Sequence, residues 1–359
     1  MKTISQILHP SFTLNGLQYD SVNELLSMAK ELRQEGDDYE VHIGKFIEKW
    51  LDDSDTVTVR TSGSTGKPKK IEIPKLSMVN SAKATGDFFD LKEKTSALLC
   101  LSAKYIGGKM MLVRAMTLGW HLHIVAPVKD ALTQYDNDYD FVAMVPYQLY
   151  HSIPALKKVK KMIVGGGVVS KELEEKIQDV STEIYSTYGM TETVSHIAVR
   201  RLNGKDKSDV YKALPNVKIG TDGRECMIIY APEINKELLI TNDLIELVSP
   251  TEFKWLGRYD NVINSGGVKL YPEKIEAKLS SYIELPFIIA SEADEQLGER
   301  IILVLETKED QPIPNYTEAF AMLEGFERPK KIYTLSKFPY TETDKIKRAD
   351  VIQVLRKYK

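Results

Sequence analysis

The sequence predicts an α/β fold, and three observations carry that expectation. Strand-like and helix-like segments alternate from Ser96 to Glu192. Two of the strands run directly into loops of glycines or hydroxyl-bearing residues, where an open α/β sheet holds its ligands. After about Ile197 the pattern changes to short β-rich segments, and beyond Gly257–Asp260 it changes again to a mixed α+β pattern. The expected architecture is a large N-terminal unit, residues 1–259, in which α/β sheets are joined by a small β subdomain. A smaller α+β C-terminal unit, residues 260–359, follows it.

Taken in order, Ser21 is placed to cap a helix reaching about Arg33, with Leu25, Leu26 and Leu32 on its buried side. A second helix is expected over Val41 to Leu51. The stretch 55–60 alternates Val57 and Val59 with polar residues, and 70–74 alternates Ile71 and Ile73, so both read as short strands. Leu76–Phe89 reads as a helix, 96–102 as a buried strand, Gly107–Leu118 as a helix, and 121–127 and 141–146 as strands. The strand at 161–167 ends in three glycines, a helix is expected over Ser170–Asp179, and the strand at 183–192 enters a loop. The segments VKIG, ECMIIY, ELLI, LIELV and FKWLG make up the β-rich part. The C-terminal unit reads as a helix over Pro272–Ser280, strands PFIIAS and RIILVLE, a helix around Tyr316–Leu323, strand KKIYTLS and a last helix from Lys347.

A chain of 359 residues with 43% hydrophobic and 28% charged residues has ample material for a packed core. The net charge of −3 and the lack of aromatics interleaved with basic residues argue against nucleic acid as a partner. No apolar run reaches the length of a membrane span, and residues 1–16 show no apolar leader, so the expected setting is cytoplasmic. The two cysteines, Cys100 and Cys226, offer neither a disulfide framework nor metal spacing.

Between the strands at 55–60 and 70–74 lies RTSGSTGKPKK, Arg60 to Lys70. Gly63 and Gly66 let backbone N–H groups turn inward, while hydroxyls and lysines add donors and charge, which suits an anion such as a polyphosphate. It is not a Walker A loop. The glycines are too close together, Pro68 follows Lys67, and a strand rather than a helix comes next.

Four further stretches share the chain with this loop: STYGMTE (186–192), TND (241–243), GRYDNVINSGGVKLYPEKIE (257–276) and PYTETDKIKR (339–348). In this order, over residues 55 to 359, they resemble the adenylate-forming superfamily of acyl- and aryl-CoA ligases, luciferases and peptide-synthetase adenylation domains. The resemblance implies ATP, Mg²⁺ and CoA as cofactors and a mobile C-terminal unit. It implies that Thr61, Ser62, Gly63, Ser64, Thr65, Gly66 and Lys67 hold the β/γ-phosphates. It puts the adenine pocket at Gly165, Gly166 and Gly167, where backbone can approach a flat ring, with Tyr188 beside Gly189 against the base. Thr191 would contact the α-phosphate and Glu192 would bind Mg²⁺, although an isolated loop carboxylate such as Glu192 is more often merely solvated. Asp243 has the chemistry to accept from two adjacent ribose hydroxyls, and the resemblance gives it that role. Arg258 would contact ribose or phosphate, Asp260 would be the hinge, and the loop of Gly266 and Gly267 would line the pantetheine channel. Lys345 matches the catalytic lysine, an ammonium bridging the attacking carboxylate and the charge developing at the α-phosphate. The implied reaction is attack of a carboxylate on the α-phosphorus of ATP, release of pyrophosphate, and displacement of AMP from the acyl-adenylate by the CoA thiol.

The chain departs from the family pattern in several places. The phosphate loop begins early, near residue 61, so the N-terminal unit is shortened. Asn242 stands where glycine is usual and is expected to matter little, and Asp344 replaces the glycine before Lys345. The segment 101–115 lacks the usual histidine or aromatic and resembles that of o-succinylbenzoate–CoA ligases of menaquinone biosynthesis, particularly short ones. Lys104, Lys109 and Arg114 there would favour a dicarboxylate, and His196 would line the same pocket. The plainer alternative is that Lys109 and Arg114 are solvated and His196 is structural. His121 and His123 share a strand face without a third metal ligand in view. A CoA ligase for another aryl or acyl acid, or a non-catalytic adenylate-binding protein, are the competing functions. The partner is a small carboxylic acid. Oligomeric state is not fixed by the sequence.

Overall fold

The computed structural model describes residues 8–60, 70–308, 311–341 and 345–357. The chain opens with a hairpin of β1 (Thr13–Leu14) and β2 (Leu17–Gln18), followed by α1 (Val22–Glu35) and α2 (Asp38–Leu51). The hydroxyl of Ser21 accepts from the Glu24 N–H, which makes it the N-cap of α1 as expected. Next come β3 (Thr56–Arg60), β4 (Lys70–Pro74), α3 (Lys75–Phe89), β5 (Ser96–Leu99), α4 (Ile106–Leu118), β6 (His121–Ile124), β7 (Tyr139–Met144), α5 (Pro146–Ser152), β8 (Val159–Val164), α6 (Lys171–Lys176) and β9 (Glu183–Gly189). After these the chain is mostly strand: β10 (His196–Arg201), β11 (Tyr211–Ala213), β12 (Lys218–Thr221), β13 (Cys226–Ala231), β14 (Asn235–Ser249) and β15 (Glu252–Arg258).

One 13-stranded sheet holds most of this part, in the order β12-β13-β14-β15-β11-β10-β9-β8-β7-β5-β6-β1-β2. From β1 through β6, β5, β7 and β8 to β9 neighbours run parallel, and from β9 outward to β12 they run antiparallel. The β-rich strands after Ile197 are therefore hydrogen-bonded to the parallel sheet and continue it. ELLI and LIELV are two stretches of the single strand β14. Strand order reverses between β5 and β7, and the carboxyl ends of β5, β7, β8 and β9 open on one edge, where a doubly wound sheet binds ligands. The pair β3–β4 is a separate two-stranded hairpin, in register from Thr56↔Pro74 to Arg60↔Lys70.

The remaining elements are β16 (Ile263–Ser265), β17 (Val268–Leu270), α7 (Pro272–Leu279), β18 (Phe287–Asp294), β19 (Gly298–Glu306), α8 (Thr317–Ala321), β20 (Lys331–Leu335) and α9 (Arg348–Lys357). They build a 5-stranded sheet in which β19 pairs with β16, β18 and β20. Alternation along β19 divides its two faces. Ile301, Leu303 and Leu305 pack with Ile275 and Leu279 of α7, while Ile302 and Val304 pack with Val351 and Leu355 of α9. The buried apolar clusters fall into two sets, one between Phe12 and Phe253 and one between Ile263 and Leu355. The chain crosses from one set to the other through a short 3₁₀ turn, Tyr259–Asn261. Among the described residues no helix is long and apolar enough to cross a membrane.

Candidate active site

Thr61, Ser62, Gly63, Ser64, Thr65, Gly66 and Lys67 lie outside the described residues, but the hairpin that carries them does not. Its base is clamped by Lys75, a buried lysine whose ammonium donates to the Asp52 carboxylate at 2.8 Å and to the Asp52 carbonyl at 2.7 Å. Lys75 was not among the expected site residues, since nothing in its sequence context separates it from a solvated lysine.

At the end of β8, the Gly165 N–H donates to the Met144 carbonyl, and a side chain at Gly165 would run into the Thr187 hydroxyl. Gly166 has φ +77°, which favours glycine. Gly167 lies against Pro146. At the end of β9, a Cβ on Gly189 would collide with the Ser195 carbonyl and with Cα of His196, which pairs opposite it. Gly189 is thus required for the close approach of β9 and β10.

Tyr188 turns its ring edge-on to Phe253 at 5.4 Å and to Tyr211 at 6.2 Å. Its hydroxyl donates to Asp243 Oδ2 at 2.7 Å, and burial, then the nearby Asp243 charge, push its pKa far up. Asp243 is itself buried. Its Oδ1 accepts from the Trp255 indole N–H at 3.2 Å and lies 3.7 Å from Arg258 Nη1. Arg258 also reaches Asp260 at 3.1 Å. Asn242, which stands where glycine was expected, is hydrogen-bonded on both sides. Its amide donates to both oxygens of Asp260 at 3.2 Å, and its own oxygen accepts from Arg224.

Thr191 opens a 3₁₀ turn over Thr191–Thr193, and Glu192 within it is exposed. Among the described residues the Glu192 carboxylate has no hydrogen bond or ion pair, so an oxygen-seeking cation would find it available. The chain then makes an abrupt turn at Val194, with φ +67° and ψ −51°, closed by a Ser195 N–H to Thr193 carbonyl bond of 2.7 Å. A γ-turn of this hand is strained for a β-branched residue, and Val194 is also buried. It reverses the chain within one residue, leaving Glu192 outside and Ser195 and His196 inside.

There they meet Arg114. This guanidinium, on the third turn of α4, is 1% exposed. Nη2 donates to Ser195 Oγ at 2.8 Å and approaches His196 Nδ1 at 3.3 Å, while Nε donates to Thr85 Oγ1 at 3.3 Å. Every one of these partners is neutral, and among the described residues no carboxylate pairs with it. Burial pulls the Arg114 pKa down to about 9. Arg114 has only donors, so the His196 nitrogen facing it is the acceptor, and the imidazole proton sits on Nε2, 3.4 Å from Thr85 Oγ1. The Thr85 hydroxyl in turn donates to the Ser81 carbonyl. Burial and the Arg114 charge hold the His196 pKa well below its usual value. The result is a buried, hydrogen-bonded cluster that carries one positive charge.

Lys104 and Lys109 do not join this cluster. Lys104 is exposed, with its ammonium 5.6 Å from the Tyr105 ring centre, and Lys109 donates to the Lys104 carbonyl. The helix explains the separation, because five residues place Lys109 about 140° around the axis from Arg114. Of the two histidines on β6, His123 bonds Tyr139 at 2.6 Å. Thr85, Ser195 and Trp255 are the site residues that the sequence reading missed. Ser195 and Trp255 adjoin recognised motifs, whereas Thr85, an uncharged residue in mid-helix, gave no signal.

In the second unit, Lys345 stands on a tight reversal. The Thr341 N–H donates to the Lys345 carbonyl at 2.8 Å, the Lys345 N–H donates to Thr341 Oγ1 at 3.1 Å, and Tyr340 pairs with Ile346. Three residues on, Arg348 ties the chain to α7 and β18, its Nη2 donating to both carboxylate oxygens of Glu276 and its Nη1 to the Ile289 carbonyl. Lys345 is half-buried, and burial lowers its pKa. Asp344 lies outside the described residues. Gly266 (φ +58°) and Gly267 (φ +83°) form the two-residue turn between β16 and β17, a hairpin turn that needs positive φ at both positions.

The sequence profile of the AMP-binding enzyme family matches residues 15–224. The chain belongs to the AMP-binding enzyme family. Among solved structures, this family member is similar to the acyl-CoA synthetase (AMP-forming)/AMP-acid ligase II-like protein from Dyadobacter fermentans, at 37% identity and a TM-score of 0.61. That match covers 92% of this chain and 98% of the other. It also resembles the 2-succinylbenzoate–CoA ligase, chloroplastic/peroxisomal, of Arabidopsis thaliana, at 26% identity over 84% of this chain and 67% of that protein. O-succinylbenzoate coenzyme A synthetase from Bacillus subtilis, in complex with ATP and magnesium ion, shares the fold at a TM-score of 0.70 and 19% identity. Here 92% of this chain and 82% of the other are covered.

Proposed function

We propose that this AMP-binding family member is an AMP-forming acid–CoA ligase acting on o-succinylbenzoate, the acid in the names of its relatives, and that it serves menaquinone biosynthesis. The observation that carries the substrate is Arg114. A buried guanidinium without a counter-ion costs several kcal/mol, and a bound carboxylate supplies the missing charge. o-Succinylbenzoate has two carboxylates, one to activate and one to be held. Arg114 takes the second, with Ser195, Thr85 and neutral His196 fixing the guanidinium's orientation.

In this reading Asp243 receives the ribose, the glycine turn at 165–167 admits the base, and the loop at 61–67 receives the β/γ-phosphates. Glu192 holds Mg²⁺, which neutralises phosphate charge when bound. Thr191 contacts the α-phosphate. Lys345, carried on residues 260–359 about a hinge at Asp260, supports attack of the free carboxylate on the α-phosphorus. Pyrophosphate leaves, and the CoA thiol then displaces AMP from the acyl-adenylate. ATP and CoA are intracellular substrates, so a cytoplasmic setting belongs to the same proposal.

The test is pyrophosphate release and thioester formation with ATP, Mg²⁺, CoA and a panel of acids. Thioester formation with o-succinylbenzoate above all other acids is the expected result. Preference for a monocarboxylate would move the chain to a different acid, and no pyrophosphate with any acid would leave only nucleotide binding. Within the site, Arg114→Met should raise KM for o-succinylbenzoate about 10- to 100-fold, with much less effect on an analogue lacking the ring carboxylate.

A further inference from the structure

We propose that Trp255 is a positioning residue of the nucleotide site, holding the Asp243 carboxylate in the orientation that accepts a vicinal diol. The proposal rests on the reading of Asp243 as the ribose acceptor.

The starting point is an irregularity in the β14–β15 ladder. Asp243 pairs with Arg258 and Leu244 with Gly257, but Ile245 then pairs with Trp255, so Leu256 is an extra residue. In a regular ladder Leu256 would stand opposite Ile245, and Trp255 would face away from Arg258. The bulge shifts the alternation by one. Trp255 and Arg258, three residues apart, thereby come to the face that carries Asp243. Gly257, at the shift, has φ +147°, a conformation that favours glycine.

Two hydrogen-bond donors and one cation consequently converge on one carboxylate. The Trp255 N–H donates to Oδ1, the Tyr188 hydroxyl donates to Oδ2, and the Arg258 guanidinium stands 3.7 Å from Oδ1 as an ion-pair neighbour. Each oxygen retains acceptor capacity, and the carboxylate plane is fixed from both ends, so a pair of adjacent hydroxyls meets acceptors already in place. The Tyr188 and Arg258 contacts involve residues that also flank the ligand. The indole reaches the carboxylate through its N–H and packs its ring against the apolar core.

Trp255 also supplies its own readout. The chain has three tryptophans, of which Trp50 and Trp120 are fully buried and Trp255 is half-buried. Binding of AMP and of 2′-deoxy-AMP is measured on the full chain by calorimetry, for wild type and for Trp255→Phe, which keeps a ring and removes the N–H. AMP should bind wild type more tightly than the deoxy compound, shield Trp255 from iodide quenching, and bind Trp255→Phe about tenfold more weakly. Affinity for 2′-deoxy-AMP should hardly change, and kcat at saturating ATP should stay within about twofold while KM for ATP rises. Trp255→His, which can restore a donor, should recover part of the AMP preference. An unchanged ratio of AMP to 2′-deoxy-AMP affinity in Trp255→Phe overturns the proposal and leaves the ligase reading standing. So does the lack of iodide protection in wild type, a measurement that needs no variant to fold. If wild type binds neither nucleotide, the ligase reading fails and this proposal fails with it.

Discussion

At the scale of single residues, protonation states carry the chemistry. His196 is neutral in the folded protein, while an unfolded histidine takes up a proton near pH 6.5. Below that pH the unfolded state therefore binds a proton that the folded state refuses, and stability falls as pH falls. Above it the effect is absent. The contribution is up to about 1.4 kcal/mol per pH unit, and His196→Gln should lack it; urea unfolding of both proteins between about pH 5 and pH 8 measures the difference. Lys345 is the opposite kind of residue, since the proposed reaction uses its charge. Lys345→Ala should reduce ATP–pyrophosphate exchange by about 100-fold or more, yet leave thioester formation from supplied acyl-adenylate. Exchange at the wild-type rate would remove Lys345 from the first half-reaction.

At the scale of elements, close approach and local reversal do the positioning. Gly189 lets β9 and β10 meet, and β10 begins with His196. Gly189→Ala forces backbone apart, since the added carbon meets a carbonyl and a Cα rather than a yielding side chain. It should cost about 1–3 kcal/mol in unfolding and raise KM for the acid, because His196 and Ser195 move with the strand. The same elements show what the sequence could reveal. The alternation from Ser96 to Glu192 announces the parallel strands, and Ser21 announces α1. The hairpin of β1 and β2 also had its signal, Asn15–Gly16 with φ +49° and +80°, but two-residue strands offer too little alternation to read. The bulge that brings Trp255 to Asp243 and the turn at Val194 were not legible, because each depends on pairing between strands and not on local preference. Arg114 and His196 were legible as types suited to an acid, whereas their 3.3 Å contact depends on a fold that joins residues 82 positions apart.

At the scale of the whole molecule, two separately cored parts meet at a turn whose Asp260 is tied back to Asn242 and Arg258 on the larger part. Lys345 belongs to the smaller part and Arg114 to the larger, so the proposed reaction divides activation and recognition of the acid between them. Arg114 has a consequence for how the protein behaves before any reaction begins. On the proposed reading, a buried Arg114 without a paired carboxylate among the described residues leaves the folded state less favourable than it is with the acid in place, and a ligand that binds only the folded form raises the melting temperature through mass action. At about 100 times its dissociation constant the acid should add about 2.7 kcal/mol of stability, seen as a rise of several degrees without nucleotide or thiol present. Arg114→Met should melt the same with or without it. The matching acid could thus be picked from a mixture by heat alone, with the protein acting as its own detector.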